Sequence, residues 1–315
     1  MNREKGTSVT TDTDELDITL SFAIRDLDGV ELITAGSRLD EAIINDIAGM
    51  GRLKQFKTSR LLQHESILSD MERFISDDPY TFIFGGVDGI RSHLMQFGEI
   101  PVPRPLLSAL DVFKQSDFYT YRHSLVVFAL TSFMMEKCYP NTLAERNVLL
   151  VGPTHDVGKL TIPPEILQKK TPLTRRERQR LEFHSVAGYV LLSYYLGDQR
   201  HPAAHVALNH HERCNGSGYP RGVAEVSPLV EMVATCDIYD ALISSRPYRK
   251  DEFNNRTALE ELCDIAETGA LSRYSVQALI GRNRVGYPLP EEVRISAERR
   301  GNGPESNCHS VTVDE

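Results

Sequence analysis

The chain has 315 residues, 41% of them hydrophobic and 25% charged, the proportions of a globular protein with room for two domains, one with a full core. Its formal net charge of −9 argues against a nucleic-acid polymer as the main partner, because binding a polyphosphate backbone needs a basic face; local groups such as "RPYRK" (Arg246 to Lys250) are still suited to one or two phosphates. No apolar stretch approaches membrane-spanning length, and the polar start lacks a signal peptide's apolar centre, so the expectation is a cytoplasmic protein with no membrane partner.

The first hundred residues combine strand and helix signals. "ITLSFAIRDLDGVELITAG" (Ile18 to Gly36) carries two runs of β character around an Asp-Gly turn, the pattern of a hairpin. "SRLDEAIINDIAGMG" has apolar residues at helical spacing before a glycine stop, and "LKQFKTS" reads as a third strand. The expectation is a small α/β module over residues 1–100. Linkers are expected at "DDP" (Asp77 to Pro79) and at the proline-spaced "EIPVPRP" (Glu99 to Pro105). From about Leu106 to Asn283 the spacing is helical almost throughout, predicting helices over Tyr121–Glu136, Thr174–Leu196, His201–His211 and Leu229–Ile243. The expected fold class is therefore mainly α, a helical bundle domain preceded by the α/β module and followed by a polar, disordered tail over 298–315. Five scattered cysteines without a CxxC pair predict free thiols rather than a disulfide framework or a structural zinc site.

Five histidines of the helical region fall on apolar stretches, where an imidazole is costly unless paired or bound to a metal. His123 heads "HSLVVFAL"; His155 and Asp156 end "NVLLVGPTHDVGK"; His184 lies in "LEFHSVAGYVLL"; His210 and His211 close a further helix; and Asp237 follows "LVEMVATC". A bundle is able to aim groups from five helices at one point. Taken singly, each histidine reads as a hydrogen-bonded core residue, Asp237 as a helix cap and Lys159 as a solvated lysine. Together they are hard to justify by packing, since each would carry its own desolvation cost. His64, His93, His201, His205 and His309 lack this context and read as structural or surface residues.

"HDVGK" (His155 to Lys159), then "NHHERCNGSGYPRG" (Asn209 to Gly222), then "CDIYDALISSRPYRK" (Cys236 to Lys250) resembles the HD-GYP family of the HD phosphohydrolase superfamily. The resemblance covers about Thr120 to Lys250. It implies an all-helical HD-type bundle over 101–297 holding two transition metals, one on His123, His155, Asp156 and Asp237, the other on Asp156, His184, His210 and His211, with Asp156 bridging. Imidazole-rich ligation favours iron, manganese, zinc, cobalt or nickel over magnesium, and the resemblance puts iron or manganese first. It further implies a phosphodiesterase that hydrolyses cyclic di-GMP to pGpG, GMP or both through a bridging hydroxide, in bacterial second-messenger signalling. Asp156 and Lys159 would be catalytic, Lys159 placing a cation near a phosphate oxygen. Tyr219, Arg246 and Arg249 would contact substrate, a structural salt bridge being the alternative for the two arginines.

The chain departs from the family pattern in places. Tyr119 stands where some members have a glutamate for a third metal, which favours a dinuclear site. Pro153, in a helix interior, would cost about 3 kcal/mol and alter how His155 is presented. Cys214 and Asn215 replace the usual Trp-Asp, and Cys214 reads as a pocket residue, with a soft ligand or an oxidation-sensitive thiol as alternatives. The rival readings are a cyclic di-GMP-binding signalling protein with weak turnover, a hydrolase of another cyclic dinucleotide such as 3′,3′-cGAMP, and a purely structural helical domain. The N-terminal module carries no assignable motif and is expected to regulate, dimerise or cover the pocket. A homodimer and protein partners on the GYP surface are the macromolecular contacts left open.

Overall fold

The computed structural model describes residues 16–61, 66–96, 100–139, 151–245, 252–301, 303–304 and 312–313. Strands β1 (Ile18–Thr19), β2 (Ile24–Arg25), β3 (Glu31–Ile33) and β4 (Arg38–Leu39) make two short antiparallel pairs, β2 with β3 and β1 with β4. The expected hairpin is present, and its turn is tightened by Asp26, whose Oδ1 accepts from the amides of Asp28 (3.0 Å) and Val30 (2.8 Å). Helix α1 (Glu41–Lys54) begins at Asp40, whose side chain accepts from Ile43 N at 2.9 Å.

Strand β5 (Thr58–Arg60), helices α2 (Ile67–Phe74), α3 (Tyr80–Phe84) and α4 (Val87–Met95), and strand β6 (Pro101–Pro103) follow. Both linker expectations are corrected here. Pro101–Pro103 pairs antiparallel with β5, and Pro105 sits in the first turn of α5 (Arg104–Ser116); proline is tolerated in a two-stranded edge ladder and in a helix's first turn, where no amide is required of it. Residues 77–79 likewise turn directly into α3, with Pro79 at its N-cap.

The helical region is built on α6 (Phe118–Cys138), which buries every residue from Thr120 to Met135 except Arg122. A helix apolar on all sides belongs at the centre of a bundle, and α6 packs against α2, α5, α7 (Val151–Thr154) and the later helix over Pro228–Ile243. A 3₁₀ turn (Val157–Thr161), α8 (Pro164–Leu167) and β7 (Leu173–Thr174) lead to the stretch expected as one helix over Thr174–Leu196. It forms two. Helix α9 (Arg175–Glu182) buries none of its residues and starts with a Thr174–Glu177 capping box, whereas α10 (His184–Leu196) buries all but Leu196; a change from surface to core composition divides them at Phe183. Helices α11 (Pro202–Asn209), α12 (Pro228–Ile243), α13 (Asn255–Glu267) and α14 (Arg273–Arg282) complete the bundle.

One apolar core runs from Leu20 to Val293, joining α1 to α10 and α2 to α6. Within the expected tail, Arg299 reaches Asp264 (2.6 Å) and Glu267 (2.7 Å), and β8 (Thr312–Val313) pairs parallel with β7. The architecture is mainly α with small strand pairs confined largely to the N-terminal segment. Among the described residues no helix is long and apolar enough to cross a membrane.

Candidate metal centre

His184 opens α10 and His210 follows the last residue of α11, so each imidazole stands beside carbonyls near a helix C-terminus, where intrahelical donors run out. His184 Nδ1 donates to Leu181 O at 2.6 Å, and His210 Nδ1 lies 3.1 and 3.0 Å from the carbonyls of Val206 and Ala207. A ring with its proton on Nδ1 keeps a lone pair on Nε2. Burial depresses both groups, His184 to about 4 and His210 to about 3, and drives the adjacent His211 well below its ordinary value. The histidines are therefore neutral donors, with the rings of His184 and His211 5.0 Å apart.

Between α7 and the 3₁₀ turn, His155 and Asp156 are both buried. The 3₁₀ turn carries Gly158, where an added Cβ would lie 1.9 Å from His184 O and 2.5 Å from Gly188 N. Only glycine allows the turn to lie this close to α10. Pro153, within α7, does not divert His155, whose Nε2 is 3.3 Å from Asp156 Oδ2. Asp156 Oδ2 also lies 3.9 Å from His123 Nε2 and 2.6 Å from Lys159 Nζ. Its Oδ1 faces the other way, 3.4 Å from His184 Nε2 and 3.8 Å from His210 Nε2. Burial alone would raise the Asp156 carboxyl, but Lys159 and His155 outweigh it and hold the group well below the usual carboxylate range.

His123 on α6 meets Asp237 on α12 through Nε2 to Oδ1 at 2.9 Å, and its Nδ1 donates to Asp240 Oδ2 at 2.6 Å. Burial would lower His123, yet its bonds to Asp237 and Asp240 raise it to about 9. Burial opposes ionisation of Asp237 too, but the bond from His123 holds its carboxyl well below the ordinary value. Asp240 is absent from the residues singled out by sequence; its signal is the (i, i+3) spacing from Asp237, which puts both carboxylates on one face of α12.

All seven predicted metal ligands thus converge in two groups: Asp156, His184, His210 and His211 in one, His123, His155 and Asp237 in the other. Within each group the donor atoms lie within 4.8 Å of one another. The donor set fits cations. Among the described residues Asp156 Oδ1 is buried with no hydrogen-bond partner, the Nε2 atoms of His184 and His210 carry lone pairs, and the His123–Asp237 contact holds a proton where a cation would take its place.

A cavity of about 360 Å³ opens over these groups, lined by His123, Asp156, Lys159, His184, His211 and Asp237 together with Tyr119 and Tyr219. Tyr219 stacks on His211 (4.6 Å, 22°) and Tyr119 on His123 (5.6 Å, 11°). The loop bearing Tyr219 is folded onto the histidine pair: a Cβ on Gly218 would come 2.4 Å from His211 O. Buried Glu212 pins the same loop, accepting from Arg221 N (2.8 Å) and Val223 N (3.1 Å). Its place in "HHE" is the only sequence signal of that role. Cys214 bonds Glu231 (3.3 Å) and is pushed up to about 11 by burial and that carboxylate, so it is a protonated thiol outside both donor groups. The other described cysteines, Cys138, Cys236 and Cys263, are free thiols as expected. Arg246 and Arg249 lie outside the described residues.

A family model described as an HD domain matches residues 105–270. Cyclic di-GMP phosphodiesterase PA4108 of Pseudomonas aeruginosa is 36% identical over 206 residues, which cover 63% of this chain and 47% of that protein. The cyclic di-GMP phosphodiesterase response regulator RpfG of Xanthomonas campestris is 43% identical over 107 residues, covering 33% of this chain and 28% of its own. The 3'3'-cGAMP-specific phosphodiesterase 1 of Vibrio cholerae is 35% identical over 133 residues, covering 42% and 30%. The chain thus spans about half or less of the length of these curated relatives. With more than half of its residues inside the family match, the chain belongs to the HD domain family.

Proposed function

We propose that this chain is a metal-dependent phosphodiesterase that hydrolyses cyclic di-GMP to pGpG, GMP or both. Asp156 carries the reading: a buried carboxylate whose two oxygens face two separate groups of imidazoles at the floor of an open cavity. On this reading His123, His155, Asp156 and Asp237 hold one cation and Asp156, His184, His210 and His211 a second. The imidazole-rich donors favour iron or manganese, ahead of zinc, cobalt or nickel. When bound, such a pair supplies an activated water and neutralises the charge that builds on the phosphate.

The chain's own residues do the rest. Lys159 holds Asp156 Oδ2 and keeps a cation at the cavity wall, where a phosphate oxygen is stabilised. Lys169, Lys170 and Arg213 also line the cavity, giving a net-negative chain a locally basic rim for a phosphodiester. Tyr219 and Tyr119 border the same space and offer aromatic faces to a base. Arg246 and Arg249 are proposed phosphate contacts. We assign the protein to cytoplasmic second-messenger signalling, with residues 1–100 as a regulatory or dimerising module and the GYP surface open to protein partners.

The relatives named as 3'3'-cGAMP-specific favour one second reading, cyclic GMP-AMP as substrate of the same site. Anaerobic incubation of the full chain, loaded with ferrous iron or manganese, with each dinucleotide and chromatographic separation of products tests both readings. Conversion of cyclic di-GMP to pGpG or GMP supports the first; conversion of cyclic GMP-AMP alone moves the reading to the second; both substrates intact over a metal-loaded protein contradicts turnover.

A further inference from the structure

Tyr80 belongs to α3, outside the residues matched by the family, yet its hydroxyl reaches into the wall of the metal centre. Buried Tyr80 donates to Asp240 Oδ1, while Asp240 Oδ2 accepts from His123 Nδ1 at 2.6 Å. The same Oδ1 accepts from Arg122 Nη1 (3.0 Å) and Ser244 Oγ (2.9 Å), and the Arg122 guanidinium stands 5.9 Å from the centre of the Tyr80 ring. Asp240 is fully buried, so its carboxylate has no solvent partner and, among the described residues, these donors set its plane. That plane fixes which way Oδ2 points, and Oδ2 fixes the ring of His123, whose Nε2 faces Asp237 and Asp156. A carboxylate behind a ligating imidazole sets the tautomer, the ring orientation and the basicity of that ligand.

We infer that Tyr80 is a positioning residue for the metal centre, acting through Asp240 on His123, so that the N-terminal segment is a working part of the site. The inference rests on the proposed metal site. It extends the group behind His123 to a residue that precedes the first position matched by the family. Phenylalanine at position 80 keeps the ring against Arg122 and removes only the hydroxyl, leaving Asp240 Oδ1 held by Arg122 and Ser244 alone and the carboxylate freer to turn.

The test compares full-length wild type with Tyr80→Phe by competition titration with manganese and by the visible spectrum of the cobalt(II)-loaded protein. Wild type is expected to bind two ions. In Tyr80→Phe the affinity of one site drops about tenfold, the low end of the usual effect of such partners, with altered cobalt d–d bands and a thermal midpoint near that of wild type. In an Asp240→Asn background the same change adds no further loss, because its route to His123 is already altered. Wild-type affinity and spectrum in Tyr80→Phe, or a full additional loss in the double variant, overturns the inference and leaves the metal site standing. Failure of wild type to bind any metal overturns both. Should Tyr80→Phe not fold, 3-fluorotyrosine placed at residue 80 keeps the hydroxyl, and its fluorine resonance must move on titration with zinc; a resonance that stays fixed overturns the inference.

Discussion

His184 Nε2 lies 3.3 Å from His210 Nε2, and neither nitrogen has a proton to give the other, because each ring commits its proton on Nδ1 to backbone carbonyls. Two buried lone pairs held this close call for a cation between them. Replacing His210 with alanine removes one donor while leaving the end of α11 in place. Its affinity for manganese is expected to fall at least about 100-fold, beyond the range typical of outer partners, with circular dichroism unchanged. A titration that matches wild type contradicts this.

Gly158 sets the distance between the 3₁₀ turn and α10. Since a Cβ there would overlap His184 O at 1.9 Å, Gly158→Ala must push the turn away from α10 and pull Asp156 from His184. The overpacking is expected to cost about 1–3 kcal/mol in denaturant unfolding and to weaken metal binding together with stability. A stable variant with full metal content would show that the turn has room the geometry denies.

A change at Glu212 is expected to affect substrate binding without affecting metal binding. Its carboxylate holds two amides of the loop that follows Tyr219 but belongs to neither donor group. Glu212→Ala leaves both amides without their acceptor, a loss of roughly 2–3 kcal/mol if they stay buried, and frees the loop. The expected outcome is a KM raised severalfold with metal content unchanged, read from steady-state turnover and elemental analysis. A kcat that falls alone, or metal that is lost, would place Glu212 elsewhere in the mechanism.

His201 gives a pH dependence away from the metal centre. Its Nδ1 accepts from Ala203 N at 3.1 Å as the N-cap of α11, which a protonated ring is unable to do, and burial lowers it from 6.5 to about 4. The stability from neutral His201 is therefore complete above about pH 6.5 and is lost as the pH falls toward 4, by at most roughly 3 kcal/mol. Asparagine is a good N-cap that does not titrate. His201→Asn should retain stability at pH 7.5 and flatten the loss toward pH 4.5 in denaturant unfolding; an unchanged slope would mean that other groups carry it.

The bundle was legible in the sequence because α6 and α12 are long and almost wholly apolar, and because the histidines interrupt apolar runs where solvent offers no alternative partner. The division of α9 from α10 was not, since Leu181 and Phe183 continue the apolar spacing while the surface-to-core change falls between them. Prolines at 101, 103 and 105 read as a linker because their local chemistry is the same in an edge strand and a helix start; only β5 distinguishes the two. Asp240 and Glu212 stood inside recognised motifs, but their partners are set by tertiary folding. Tyr80 had no local signal at all, as its bond to Asp240 spans 160 positions of chain.

If one carboxylate serves two cations, as proposed, the metal content of Asp156→Ala beside wild type must show it. Both proteins are loaded anaerobically with ferrous iron or manganese, desalted, and measured by elemental analysis, with folding checked by circular dichroism. The expected result is two ions per wild-type chain and loss from both sites in the folded variant, because Oδ1 and Oδ2 face different groups. A folded Asp156→Ala that still holds two ions would contradict it.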